Sequence, residues 1–398
     1  MNRFLDRPLA SYYLILGATA ILVTLGLVMV LSASSVVAYV DTGSSFTLLQ
    51  RQAMYVAVGL PLMWVASRLH PRVYRALAYP LLLASLAGLV LVLVPGMGVN
   101  VNGATRWINL GGPLRLQPSE FAKLGLVLWG ADLIARKHKL LGDWKHLLLP
   151  LIPVTGVAVL LVMIGRDLGT TLVLLTIVLA LLWVSGAPGR VFGAMVGAVV
   201  TIIGLLVVIE PYRLQRLTSF TDPFKDAHGS GYQAAQGIYA LSSGGWWGLG
   251  LGGSREKWEY LPHAHTDFIF AIIGEELGLV GTLAVLTVFA ALGLAGARVA
   301  MRSTDRFSRL AAATATAWIM AQALINIGAV INVLPVTGIP LPLVSFGGSS
   351  LLPTMAAIGM LLSFARREPG AAAALRTRGP GPIRQFLARR RLAAAAAG

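Results

Sequence analysis

The 398-residue chain contains no cysteine. Disulfides and thiolate metal sites are therefore excluded. Charge is scarce too. Only 12% of residues are Asp, Glu, Lys or Arg, about half the usual share of a soluble domain. Acidic groups are the rarest, 16 against 32 Lys and Arg. The alternating segments of roughly ten residues that build a membrane β-barrel are missing. The short basic stretch before Tyr12 leads into an apolar run too long for a cleavable signal, so an uncleaved first helix is expected.

What is present is apolar length. The chain is 56% hydrophobic with mean hydropathy +0.75, and runs such as Tyr12 to Leu31, Ala76 to Val94 and Thr170 to Val184 approach the ~20 residues that cross a bilayer. An all-α, polytopic membrane protein is predicted. It has about ten spans, at 12–33, 52–67, 77–94, 118–135, 147–164, 168–184, 191–209, 267–296, 310–334 and 343–365. A long outer loop, partly helical, joins spans seven and eight. With the N-terminus inside, 22 of the 32 Lys and Arg fall on the inner side and 8 on the outer. This bias puts both termini in the cytoplasm. It also accounts for most of the +16 net charge, which argues against nucleic acid as a partner. Residues 1–365 form the membrane domain, and 366–398 a basic tail expected to be disordered.

Two outer segments are too elaborate for connectors: 95–117, and the loop from Glu210 to Thr266, since loops of that length are usually functional or disordered. Trp246 and Trp247 suit a membrane interface. Ionisable groups at membrane depth are functional candidates by default. Here they are Glu120 and Lys123 in span four, Asp167 in the turn before span six, and Glu275 and Glu276 in span eight. Lys123 and Asp167 are expected to neutralise each other, either as a buried ion pair or as a cation held ready for an anionic substrate. Asp267 stands where the long loop meets an apolar helix. It reads equally as a helix cap or as a general base at the water boundary. Glu275 and Glu276 cannot both share its helix face. Arg106, Trp107 and Arg115 lie in the first elaborate loop, where arginine forks suit phosphate or lipid headgroups. The spacing of His263, His265 and Asp267 does not suit a metal. Gly248 to Gly253 matches a dinucleotide fingerprint by letters, but no strand precedes it, so a flexible approach loop is expected. The Pro- and Gly-rich stretch from Pro335 to Ser350 requires a protein or water-filled lining. It is expected to border the same outer cavity.

These motifs together resemble the SEDS family of peptidoglycan polymerases: GATRWINLG at 103–111, LQPSEFAKL at 116–124, RDLGTTLV at 166–173, the stretch from Gly245 to Gly278, and LPVTGIPLPLVSFGGSS at 334–350. They fall in the family's order across nearly all the spans. REKWEYLP and INIGAVINVLP look more like its cell-division branch than its elongation branch. The resemblance implies glycosyl transfer on lipid II, the undecaprenyl-pyrophosphate-linked precursor. It assigns the essential aspartate to Asp267 and substrate contacts to Arg106, Trp107, Arg115 and Lys123. His265 and Thr266 would orient the loop, with Glu120, Asp167 and Glu275 in support. Family members often carry Glu where this chain has His263, a departure that leaves Asp267 untouched. The resemblance names no certain cofactor; a divalent cation could share the work of Lys123 and the arginines. The implied partners are a class B penicillin-binding transpeptidase and other division proteins in the cytoplasmic membrane, at the septum. The rival readings are a lipid II flippase and a noncatalytic division scaffold.

Overall fold

The computed structural model describes residues 9–371 apart from 102–103, 110, 112–114, 138–143, 210–219, 226–228, 230 and 259. Most of the predicted basic tail lies outside the described residues. The elements run α1 Ala10–Thr42, α2 Thr47–Arg68, α3 Pro71–Leu93, β1 Gly98–Val101, β2 Ala104–Asn109, β3 Arg115–Leu116, α4 Pro118–Arg136, α5 Trp144–Ile164, α6 Leu168–Ser185, α7 Gly189–Ile209, α8 Tyr232–Ser243, α9 Ile269–Arg302, α10 Arg306–Val330 and α11 Gly348–Ala365.

The protein is a polytopic membrane protein of long apolar helices. Among the described residues, six helices are long and apolar enough to cross a membrane: α1, α3, α6, α9, α10 and α11. The expected ten are not all met on that measure. The apolar parts of α5 and α7 are shorter, Leu148–Ile164 and Gly189–Leu205. Helix α4 is interrupted by charge, with Glu120, Lys123, Asp132 and Arg136 in 19 residues.

Local chemistry sets the helix starts. Pro71 and Pro118 occupy first-turn positions, where a missing N–H costs nothing. Asp167 caps α6 and Asp305 caps α10, each carboxylate accepting from a backbone N–H three residues on. Small residues then let the backbones approach. A Cβ on Gly359 would stand 2.5 Å from the Met63 carbonyl, and one on Gly26 would stand 2.7 Å from that of Val344.

Two features depart from the all-α expectation of simple rods. The first elaborate loop is a three-stranded antiparallel sheet in the order β1-β2-β3, with an irregularity between Val99 and Asn100. And α9 is broken at Gly278 (φ 68°, ψ −167°). The nine residues before the break include Ile269 to Glu276, all buried. Leu279, Val280 and Leu283 just after it are exposed. Leu279–Arg302 alone is long enough to cross the ~30 Å hydrocarbon layer.

The break is splinted by the 244–257 loop. Leu249 and Gly250 N–H donate to the carbonyls of Glu275 and Glu276, and Leu279 and Val280 N–H donate to those of Gly245 and Trp246. The Glu275 carboxylate accepts from Ser254 Oγ (2.5 Å) and the Arg255 N–H (2.8 Å). Glu276 accepts from Ser32 Oγ of α1 (2.6 Å) and lies 3.7 Å from Lys257 Nζ. The glycine-rich stretch is thus a tight wrap, not the flexible approach loop expected. Gly248 is required there because a Cβ on it would sit 2.2 Å from the Glu276 carbonyl oxygen.

Replacing Gly278 by Ala adds a methyl 2.4 Å from the Gly248 nitrogen at a left-handed φ. It should destabilise the protein by at least about 1–3 kcal/mol. The readout is the thermal midpoint in detergent; an unchanged midpoint contradicts the splint.

Candidate active site

Helix α10 organises the site. Among its apolar residues, Trp318, Gln322 and Asn326 recur every four positions and so share one face. Asn326 Nδ2 donates to the carbonyl of Asp267 and to that of Ile339, both at 2.7 Å. One turn earlier, Gln322 Nε2 donates to the Pro340 carbonyl at 3.1 Å. Its Oε1 accepts from Lys123 Nζ (2.8 Å) and Trp318 Nε1 (3.0 Å).

Asp267 lies one residue before the N-cap Phe268 and does not cap α9. Its carboxylate is half-buried and accepts from Thr266 Oγ1 at 2.9 Å. Gly338 (φ 70°) faces it: a Cβ there would be 3.8 Å from Asp267 Oδ2. The irregular 335–347 segment also touches the start of α6, since a Cβ on Gly169 would meet the Thr337 carbonyl at 2.7 Å. At its far end, Phe346 N–H donates to the His265 carbonyl (3.0 Å), and the His265 ring meets Phe346 edge-on. Gln52 of α2 donates to the Ser345 carbonyl and accepts from Gly347 N–H.

The expected pairing of Lys123 with Asp167 is not what the fold makes. Lys123 is fully buried and ion-paired within α4 to Glu120 at 2.7 Å, under the Trp318 ring. Asp167 is occupied as the α6 cap, bonding Thr170 N–H and Oγ1, and accepts from Gln117 Nε2 (3.2 Å). Its cation is Arg106, 3.8 Å away. Arg106 also donates to the carbonyl of Arg166 at 2.7 Å, holding a residue strained at φ 60°. Behind it a small cavity is lined by Leu89, Val92, Thr105, Ser119 and Gly165. In this conformation Lys123 reaches no surface, so the substrate contact expected of it is not available.

Arg106 and Trp107 are consecutive in β2, so their side chains leave opposite faces of the sheet. Arg115 in β3 is exposed, and its carbonyl accepts from Ser349 Oγ (2.7 Å) at the start of α11. Asp267, Thr266, His265, Arg106, Asp167 and Arg115 are thus joined through the 335–350 segment. Glu275 is not among them; it belongs to the splint. Among the described residues, no three metal-ligating side chains gather. Asn326, Gln322 and Gln52 were absent from the sequence-based site, although uncharged polar residues inside apolar helices were a readable signal.

Comparison with known proteins gives the family. The family model describing the FtsW, RodA and SpoVE cell cycle proteins matches residues 12–369. The chain belongs to this family, the SEDS proteins. A probable peptidoglycan glycosyltransferase FtsW of Mycobacterium tuberculosis is 45% identical over 373 residues, covering 94% of this chain and 71% of that protein. Stage V sporulation protein E of Bacillus subtilis is 38% identical, covering 87% of this chain and 95% of its own. Among solved structures, a chain from a peptidoglycan synthase complex that coordinates polymerization and crosslinking superposes with TM-score 0.73 at 32% identity, covering 89% of this chain and 97% of that one. The rod shape determining protein RodA of Thermus thermophilus gives 0.66 at 31%, covering 89% and 96%.

Two outcomes follow from the geometry. Lys123→Met leaves Glu120 buried without its cation and should cost about 3–5 kcal/mol. Lys123→Met with Glu120→Met should recover most of that, as read by thermal melting in detergent. Burial holds the His265 imidazole down from 6.5 to about 4, with His263 adding to the effect and Asp41 opposing it. Between those values the unfolded chain binds a proton that the folded loop refuses, so stability falls as pH drops from about 6.5 to about 4. His265→Phe should flatten that part of the melting-temperature profile.

Proposed function

We propose that the chain polymerises lipid II into glycan strands at the outer face of the cytoplasmic membrane, during division. Asp267 takes the proton from the 4-hydroxyl of the acceptor sugar. That oxygen forms the new bond to the anomeric carbon of the donor with inversion. The donor's bond to its lipid pyrophosphate breaks, and the leaving group departs with the electron pair. Because pyrophosphate is already a good leaving group, it needs cations rather than a protonating acid. Here the site differs from the carboxylate pair of a glycosidase. Arg106 and Arg115 are the proposed pyrophosphate contacts, with a divalent cation able to share that role. Trp107 lies on the side of the sheet opposite Arg106 and is assigned to the lipid or sugar. Thr266 and His265 orient the base.

The observation that carries this reading is the Asp267 carboxylate. It is half-buried beside Gly338, and the 335–350 segment connects it to both arginines. The family and the names of its relatives supply the substrate class. In this reading all ten long helices cross the membrane, both termini are cytoplasmic, and a class B transpeptidase crosslinks the product.

The test is polymerisation of purified lipid II by the full chain in detergent, alone and with its transpeptidase, where there is no bilayer to flip across. Wild type should form glycan. Asp267→Asn should lose about 10²–10⁴-fold or more in rate. Product formation by Asp267→Asn at the wild-type rate removes it as the base, and no product under either condition rejects the polymerase.

A further inference from the structure

Asn326 uses both hydrogens of one amide on two segments that otherwise meet farther along, where Phe346 N–H donates to the His265 carbonyl. One is the turn that carries Asp267; the other is the irregular chain at Ile339. Gly338, next to Ile339, is the residue facing the Asp267 carboxylate. A single planar group therefore bridges Asp267 and its facing wall directly. Gln322 repeats the contact one turn below, at Pro340.

The orientation of the Gln322 amide is also decided. Lys123 Nζ and Trp318 Nε1 are both donors and both meet its Oε1. That leaves Nε2 for the Pro340 carbonyl, since a flipped amide would set donor against donor. Lys123 in turn is held by Glu120 at 2.7 Å. A buried chain thus runs from the α4 ion pair through Gln322 to the segment that Asn326 clips to Asp267.

We infer that Asn326 is a positioning residue for glycosyl transfer, clipping the Asp267 turn to the Ile339 wall, and that Lys123 acts as the internal pillar fixing the Gln322 rung beneath it. This deepens the proposed reaction and rests on Asp267 being its base. The residue that discriminates is Asn326→Asp. It keeps the shape, removes both donors and sets a carboxylate against two carbonyl oxygens. A misplacement of about 1 Å costs on the order of 10²-fold in rate.

The chain contains no cysteine, so spin labels can be placed at will. His263 on the turn and Ile331 at the end of α10 are both exposed. In full-length protein labelled at His263→Cys and Ile331→Cys, the distance distribution should be narrow. Adding Asn326→Asp should broaden it. In unlabelled protein, Asn326→Asp should lower kcat on lipid II by about 10²-fold with KM little changed. Asn326→Ser, which keeps one donor, should fall between. An unchanged distance distribution overturns the clip. A broadened distribution with wild-type kcat, or a loss confined to KM, overturns its role in turnover. If Asn326→Asp does not fold, the same two readouts are taken on Asn326→Ser and judged the same way. Failure of the base itself is separate, since it appears as activity in Asp267→Asn while the label distances still respond to Asn326.

Discussion

Everything at the site depends on how an irregular stretch of backbone is satisfied away from water. Residues 335–347 form no helix or strand, yet Ile339, Leu341, Leu343, Val344 and Ser345 are buried. Each buried carbonyl left without a donor would cost about 1–3 kcal/mol. Side-chain amides supply the donors: Asn326 for Ile339, Gln322 for Pro340, Gln52 for Ser345. Ser345 Oγ accepts from the Leu341 N–H within the segment. Two of the amides lie on α10 and one on α2, so the segment is fixed to both. Because Asn326 also holds the Asp267 carbonyl, the group proposed to do the chemistry inherits the position of the scaffold.

Buried charge follows the same logic of shape. Glu275 and Glu276 bind the loop that replaces the helical hydrogen bonds lost at Gly278. Glu120 neutralises Lys123, and Asp167 starts α6 while facing Arg106. Each of these charges has a partner. Arg115, by contrast, is exposed on a two-residue strand, and among the described residues it is tied down through its backbone. A side chain held that way can follow a ligand, whereas Lys123 would have to abandon Glu120 and Gln322 first.

Helix boundaries were legible where a local rule acts alone. The spans expected at 118–135 and 168–184 match α4 and α6 to within a residue, because Pro118 and Asp167 mark the starts and Gly186 ends α6. The span expected at 267–296 hid a break, since the glycine at 278 looks like any other glycine in an apolar run. Its left-handed φ is imposed by the wrap, a contact with residues some thirty positions earlier. The partner of Lys123 was missed for a related reason. Glu120 is one turn away on its own helix, but favouring it over Asp167 required knowing that Asp167 was already committed to Thr170 and Gln117. The strands of 98–116 are two to six residues long and pair only with each other, too short for their pattern to stand out. Of the site itself, the charged members were visible as rare letters. The amides that arrange them stood out as polar letters in apolar helices, but their roles did not, because a Gln or Asn in a membrane helix has many possible partners.

The choice of amides for this work has an electrostatic consequence. A carboxylate that must accept a proton is a weaker base beside an unpaired cation. Holding the Asp267 turn with Lys or Arg would fix its position at the expense of the basicity proposed for it. A neutral amide fixes position through two short hydrogen bonds and adds no net charge. The one cation in the chain beneath it, Lys123, reaches Gln322 only after its charge is balanced by Glu120. Geometry is thus transmitted through neutral or neutralised groups. In the proposed reaction, the positive field that a departing pyrophosphate calls for would come from the arginines of the small sheet.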